Sequence, residues 1–340
     1  MQHFDRRFRA EWEPQAAVLL AWPHVGTDWA PMLDRVEHCY LDIVAAIAAD
    51  ERLIILTPDY QAVQGKLASA GIPKDRLTIV PLITDDTWTR DYGPLATDAD
   101  GKTLLLDFTF NAWGMKFAAS HDNLVTAHLG DMDILPHPLE NHRDMVLEGG
   151  SVETDGNGTI MTTTECLLSP NRNAAWSKER IEQELCRRLG ARKVLWVDHG
   201  FVPGDDTDSH IDTIARFAPG GVILHTTAHE GTEEYHALQL MARQLATFTD
   251  ADGKHYRTVA LPPPPIITGE DGERLPATYA NFLITNHCVF VPTYGSTETD
   301  DEAISIIQSV FPEHKVTGID CRALIEQHGS LHCATMQIPL

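Results

Sequence analysis

The sequence has 340 residues, 43% of them apolar, enough to bury the core of one large globular domain or two ordinary ones. Its 49 Asp and Glu against 26 Lys and Arg give a formal net charge of -23, which argues against nucleic-acid or anionic-membrane partners and suits a small cationic substrate. No segment approaches the roughly 18 apolar residues of a membrane span, and the opening "MQHFDRRFRAEWEP" lacks a signal-peptide apolar region, so the chain is expected in the cytoplasm.

In chain order, hydrophobic periodicity predicts a strand at "AVLLAW", a helix over 30–49, a strand at "RLIILT", and a helix over 59–70. Further helices follow near 178–189, 233–247 and 299–310, with strands at "KVLWV" and "GVILH" between them. The class is α/β. The Pro-rich "LPPPPII" at 261–267 reads as a rigid surface loop rather than a boundary, so residues 1–340 are taken as a single domain. Cys39, Cys166, Cys186, Cys288, Cys321 and Cys333 are widely spaced with no CxxC pair, which signals neither a disulfide framework nor a zinc knuckle.

A weak repeat links five strand-turn-strand segments whose first strands begin near 90, 147, 210, 279 and 329. Such a period suits a closed ring of similar units, the last completed by the N-terminal "AVLLAW" strand, because closure removes exposed sheet edges. Asp91, Glu148, His210 with Asp212, and Cys333 each lie in or just before the first strand of a unit. In a ring those strands line the axis, so these distant residues are expected to meet in one central cavity.

Five ionisable groups crowd "GDDTDSHIDTIARF": Asp205, Asp206, Asp208, His210 and Asp212. In an extended segment Asp206, Asp208, His210 and Asp212 share one face. A solvated acidic turn is the plain alternative. An EF-hand is disfavoured because its glycine and bidentate glutamate are missing, while a transition-metal site of His210 with two aspartates stays open. A guanidinium site is the third option, since carboxylates on opposite edges of a planar cation fix it while leaving its carbon open to attack. Asp91 and Asp212 would serve, with Trp88 in "DDTWTRDYGPL" as an aromatic wall. Cys333 in "HGSLHCATMQIP" is either a small buried residue or a nucleophile. Its strand neighbour His332 would face away from it, leaving His210 as the base. Glu148 in "LEGGS" precedes either a bulge or orients that imidazole.

Taken together, "AEWEPQAAVLLAWPHVGTDW", "DDTWTRDYGPL", "FNAWG", "LEGGSVETDGNGT", "TECLLSPNRN", "GDDTDSHIDTIARF", "YANFLI" and "HGSLHCATMQ" resemble, in order and spacing, the agmatine deiminases of the guanidine-modifying superfamily, whose bacterial members form a peptidyl-arginine-deiminase-like family. The resemblance spans nearly the whole chain. It implies the pentein fold, a five-bladed pseudo-symmetric α/β propeller, and hydrolysis of agmatine to N-carbamoylputrescine and ammonia, a step toward putrescine and polyamines, without metal or cofactor. It also implies Cys333 as nucleophile, His210 as acid and base, Asp91 and Asp212 as guanidinium clamps and Glu148 as orienting carboxylate. Trp88, Trp113, Asp206 and Asp208 are the candidate substrate contacts, and a homo-oligomer is compatible with the family. Asp208-Ser209 stands where plant-like members read Asn-Gly, and His328 where they have glycine; both bear on the far end of the substrate. Arginine or peptidyl arginine is the alternative substrate, with Arg90 and Arg216 as candidate carboxylate contacts. Readings from other classes are a metal-dependent hydrolase and a non-catalytic guanidine-binding module.

Overall fold

Residues 6–340 are described by the structure, a computed structural model. Five small sheets follow one another along the chain, and four of them share one plan: a first strand pairs antiparallel with a second, which pairs parallel with a third. The first sheet comprises Leu95–Ala99, Lys102–Thr109 and Leu139–Val146, with Arg6–Phe8 added at its edge. Val152–Thr154, Thr159–Thr163 and Lys193–Val197 form the second, and Ala215–Ala218, Val222–His225 and Arg257–Ala260 the third. The fourth holds Leu283–Ile284, Cys288–Thr293 and Lys315–Asp320.

The fifth sheet joins the two ends of the chain. Met336–Pro339 pairs antiparallel with Gln15–Ala21, aligning Met336 with Leu19, and Leu53–Thr57 and Leu77–Pro81 continue it in parallel. The strand read at "AVLLAW" therefore does complete the last unit.

Local chemistry explains these elements. Parallel neighbours need a crossover, supplied by Lys178–Leu189, Tyr235–Leu245 and Thr297–Val310 in three sheets and by Leu33–Ala48 and Tyr60–Ser69 in the fifth. Leu33–Ala48 turns Val36, Tyr40, Ile43, Val44 and Ile47 inward at three- and four-residue spacing, making one apolar stripe. Lys178–Leu189 is capped by the Ser177 side chain, which accepts from the Arg180 N–H, and ends at Gly190 in the left-handed region. In the first hairpin Asp100 and Gly101 both take positive φ, as a tight two-residue turn requires.

The first strands start about five residues later than the sequence suggests. The stretches read as extended are short buried turns: Thr89–Tyr92, Gly149–Ser151, Ile211–Ile214, and the bends before Leu283 and Met336. Each turn closes on its own backbone before the strand begins, so adjacent side chains within it need not face opposite sides.

Candidate active site

These turns converge on one buried point. Asp91 Oδ1 accepts from the Gly150 N–H at 2.9 Å, and its Oδ2 accepts from Trp113 Nε1 at 2.9 Å. His210 Nδ1 stands 3.6 Å from the same Oδ1. Asp212 Oδ2 lies 2.8 Å from His332 Nδ1 and 3.8 Å from Cys333 Sγ, while its buried Oδ1 has no partner among the described residues. Asn281 ties the cysteine in place: its Nδ2 donates to Cys333 Sγ at 3.2 Å, and its Oδ1 accepts the N–H groups of His332 and Cys333 at 2.9 and 3.2 Å.

Gly150 keeps the cluster open. A Cβ there would lie 2.7 Å from His210 Nδ1, 2.8 Å from Asp91 Oδ1 and 3.1 Å from Asp212 Oδ2, inside van der Waals contact with all three. Trp113 reaches Asp91 from an unusual backbone. Ala112, Trp113, Gly114 and Met115 all have positive φ, a conformation that costs an L-residue roughly 1–2 kcal/mol, and the Asn111 side chain caps the run by accepting from the Gly114 N–H. Strain concentrated there is spent on holding one indole N–H against one carboxylate.

Asp91 and Cys333 of this cluster line a cavity of ≈ 120 Å³. Trp88 and Trp113 are walls, and Trp88 can pack against residue 329 only because it is glycine: a Cβ there would lie 2.4 Å from the ring. Asp28, Asp86, Asp205 and Asp206 also line it, and no Lys or Arg does among the described residues. Asp86 and Asp28 lie inside "DDTWTRDYGPL" and "AEWEPQAAVLLAWPHVGTDW", where motif membership was their only sequence signal.

Burial and mutual repulsion govern the charges. Burial, with Asp212 and Glu148 nearby, lifts Asp91 to about 6 against the pull of His210 and Trp113. Burial likewise lifts Asp86 to about 7, and burial with the Asp205 charge lifts Asp206 to about 6. Burial opposes charging His210, yet Asp91, the Cys166 thiol and Glu148 outweigh it and hold the ring well above its usual value. Burial, Asp212 and Asp91 push the Cys333 thiol well up. Burial would raise Asp212 too, but hydrogen bonding and attraction from His332 bring it below the usual carboxylate range.

Of the sequence candidates, Cys333, His210, Asp91 and Asp212 are brought together, and Trp88, Trp113 and Asp206 line the cavity above them. Asp208 is not. Asp208 and Ser209 take positive φ, so 206–212 is no extended segment with one shared face, and the Asp208 carboxylate turns to Lys116 Nζ at 2.7 Å and Arg172 Nη1 at 2.6 Å. Glu148 lies near His210 but spends both oxygens on Arg172 Nε, at 2.8 and 3.0 Å. His332, expected to face away from Cys333, shares Asp212 Oδ2 with it because the segment is a turn. Arg172 and Asn281 lie inside "TECLLSPNRN" and "YANFLI", where motif membership was their only sequence signal.

Among the described residues two groups of side chains have ligand spacing, Glu148 with Cys166 and His210, and Glu11 with Glu153 and His332. Neither is the His210 and aspartate set expected for a metal hydrolase, and arginines already occupy the carboxylates of both. A cation there would compete with a fixed guanidinium.

The chain shares its fold with solved deiminases. A structure described as a candidate arginine deiminase from Porphyromonas gingivalis is 48% identical, with TM-score 0.92 over 98% of each chain. The agmatine deiminase of C. jejuni with substrate bound is 32% identical, with TM-score 0.91 over 99% of this chain and 97% of that one. In sequence, the agmatine deiminase of Medicago truncatula is 32% identical over 97% of this chain and 95% of its own length. The model of the Porphyromonas-type peptidyl-arginine deiminases matches residues 7–339, and the chain belongs to that family.

Proposed function

We propose that the protein is an agmatine deiminase, hydrolysing agmatine to N-carbamoylputrescine and ammonia. The observation that carries the choice of agmatine over arginine is the cavity wall: Asp28, Asp86, Asp205 and Asp206, with His328 as its imidazole and no Lys or Arg among the described lining. Agmatine ends in a primary ammonium, which these carboxylates attract; arginine adds a carboxylate, which they repel. Arg90 and Arg216 do not offset this, because both are buried and bound to Glu11, with Arg216 also bound to Glu153.

In this reading Asp91 and the free Oδ1 of Asp212 take the guanidinium N–H groups while Trp88 and Trp113 flank the cation. The bound cation offsets the two carboxylates that hold the Cys333 thiol protonated, so binding itself favours the thiolate. Sγ then bonds to the guanidinium carbon. His210 gives its proton to the departing nitrogen, the C–N bond breaks, and ammonia leaves a thiouronium on Cys333. Neutral His210 removes a proton from water, the hydroxide adds to the same carbon, and the new hydroxyl passes its proton to the departing sulfur as the C–S bond breaks, releasing the neutral ureido product and restoring the Cys333 thiol. Glu148 supports the charged form of His210 through space rather than by a hydrogen bond. We also infer that the five sheets close into a five-bladed propeller acting as one catalytic domain. Pairing of Met336 with Leu19 and the meeting of turns from all five units support that reading.

Ammonia release from agmatine, arginine and a peptidyl arginine, in EDTA, tests the proposal. The expected result is turnover of agmatine above the other two, a thiouronium mass on Cys333 in acid-quenched protein, and loss on the order of 10⁴-fold or more in Cys333→Ala. A preference for arginine or loss of activity in EDTA would overturn it, as would binding of agmatine with no adduct.

A further inference from the structure

A buried chain of side chains leads from the back of the site to a second, smaller cavity of ≈ 60 Å³ lined by Glu11, Arg90, Glu153, Met336 and Gln337. His332 links the two. Its Nδ1 meets Asp212 Oδ2 at 2.8 Å, and its Nε2 meets Glu11 Oε1 and Oε2 at 2.8 and 3.0 Å. The ring is 1% exposed, so no water competes for either nitrogen. Glu11 is itself fixed by Arg90 at 3.0 Å, by Arg216, and by Gln337 Nε2 at 3.1 Å, which anchors the far end of the bridge to three other segments of the chain.

The consequence falls on Asp212. A buried aspartate with one oxygen pinned and the other unpartnered has its free oxygen aimed by the pin. Asn281 Nδ2, 3.4 Å from Oδ2, is too distant to do this alone. We propose that His332, braced by Glu11, is a positioning residue that fixes the Asp212 carboxylate so that Oδ1 is presented to the substrate guanidinium. The proposal rests on the agmatine deiminase reading above for its kinetic consequence, though not for its geometry. His332 never touches the reacting carbon; it acts only through Asp212.

A double-mutant cycle of His332→Leu and Asp212→Ala tests this, with kcat and KM for agmatine beside circular dichroism and a crystal structure of the His332 variant. The expected result is a folded His332→Leu protein with kcat/KM reduced about 10²-fold, as misplacement of a reacting group by about 1 Å costs. The double variant should lose no more than Asp212→Ala alone, because a positioning residue has nothing left to position. Multiplied losses in the double variant, or wild-type kinetics in His332→Leu, would overturn it. If leucine does not fold, the same cycle is read with His332→Ala, which likewise removes both contacts, and the same outcomes decide. Wild-type protein silent toward agmatine would sink the functional reading alone. The positioning role would then be decided by the variant crystal: Asp212 rotated from its wild-type place supports it, and Asp212 unmoved overturns it.

Discussion

The two ends of the buried polar core use the same ingredients to opposite effect. On the back side Glu11 and Glu153 meet Arg90, Arg216 and His332, so each carboxylate has a partner. On the front side Asp28, Asp86, Asp91, Asp205 and Asp206 line a cavity with His328 but no Lys or Arg among the described lining residues. A buried charge is tolerated when paired and costly when not. The back is therefore structure already completed, and the front is an electrostatic deficit that a cationic ligand completes. The difference shows why counting acidic residues in a sequence does not locate a site: position relative to arginine does.

Breaking the back should produce the largest energetic effect and a structural one. Arg216 is fully buried, pairs with Glu153 and Glu11, and donates from Nη1 to the Phe282 carbonyl at 2.7 Å and the Ala280 carbonyl at 3.2 Å. Arg216→Met leaves two carboxylates and two carbonyls without it. A loss of about 3–5 kcal/mol in urea unfolding is expected, as for other buried pairs from which one partner is removed. A loss below about 1 kcal/mol would mean that the back is no better matched than the front.

Breaking the front should instead cost activity. Gly150→Ala places a methyl against His210, Asp91 and Asp212 at once, each already fixed by its own turn. Displacement of the reacting groups should lower kcat/KM about 10²-fold, read from ammonia release. Undiminished turnover would show that the three groups can spread without consequence, and the argument from their spacing would fail.

Much of this contrast was open to sequence reading, and the part that was not has a physical cause. The strands at "KVLWV" and "RLIILT" and the helices from 59 and 178 stand where periodicity places them, because burial of one stripe or one run dictates them locally. The proximity of Cys333 to Asp212 and of His210 to Asp91 is of the kind the repeat leads one to expect. His332 was misjudged because a buried turn and a short strand look alike in four residues of "SLHC". Its bond to Glu11 spans most of the chain, and no local pattern encodes it. The left-handed run at Ala112–Met115 runs against the backbone preferences of its own residues, so propensity points away from it. Asp208 was credited to the substrate because it sits among acids, yet Arg172, more than thirty residues earlier, claims it.

The smallest effect separates the two ends by pH. A carboxylate whose folded pKa is raised holds its proton in the folded state while the unfolded chain has lost it, so stability grows as pH falls through that raised value toward the ordinary one. Asp122, at about 8, has this sign through burial, as do Asp86 at the front, at about 7, and Glu153 at the back, at about 8. The raised His210 acts in the same direction: its folded state keeps a proton that the unfolded chain releases above about 6.5. The melting temperature of the free protein should therefore rise as pH is lowered from 8 to 7, each group contributing at most about 1.4 kcal/mol per pH unit. Below about 6.5 the trend should flatten, because burial lowers His24, His225, His314 and His332 and their unfolded forms then take up protons first. Agmatine added to the Cys333→Ala protein binds the front where carboxylates are ionised, so its stabilisation should be larger at pH 8 than at pH 7. Equal stabilisation at both values, measured by thermal unfolding, would mean that the front carboxylates are ionised throughout, and that the cavity is held open by pairing of the kind seen at the back.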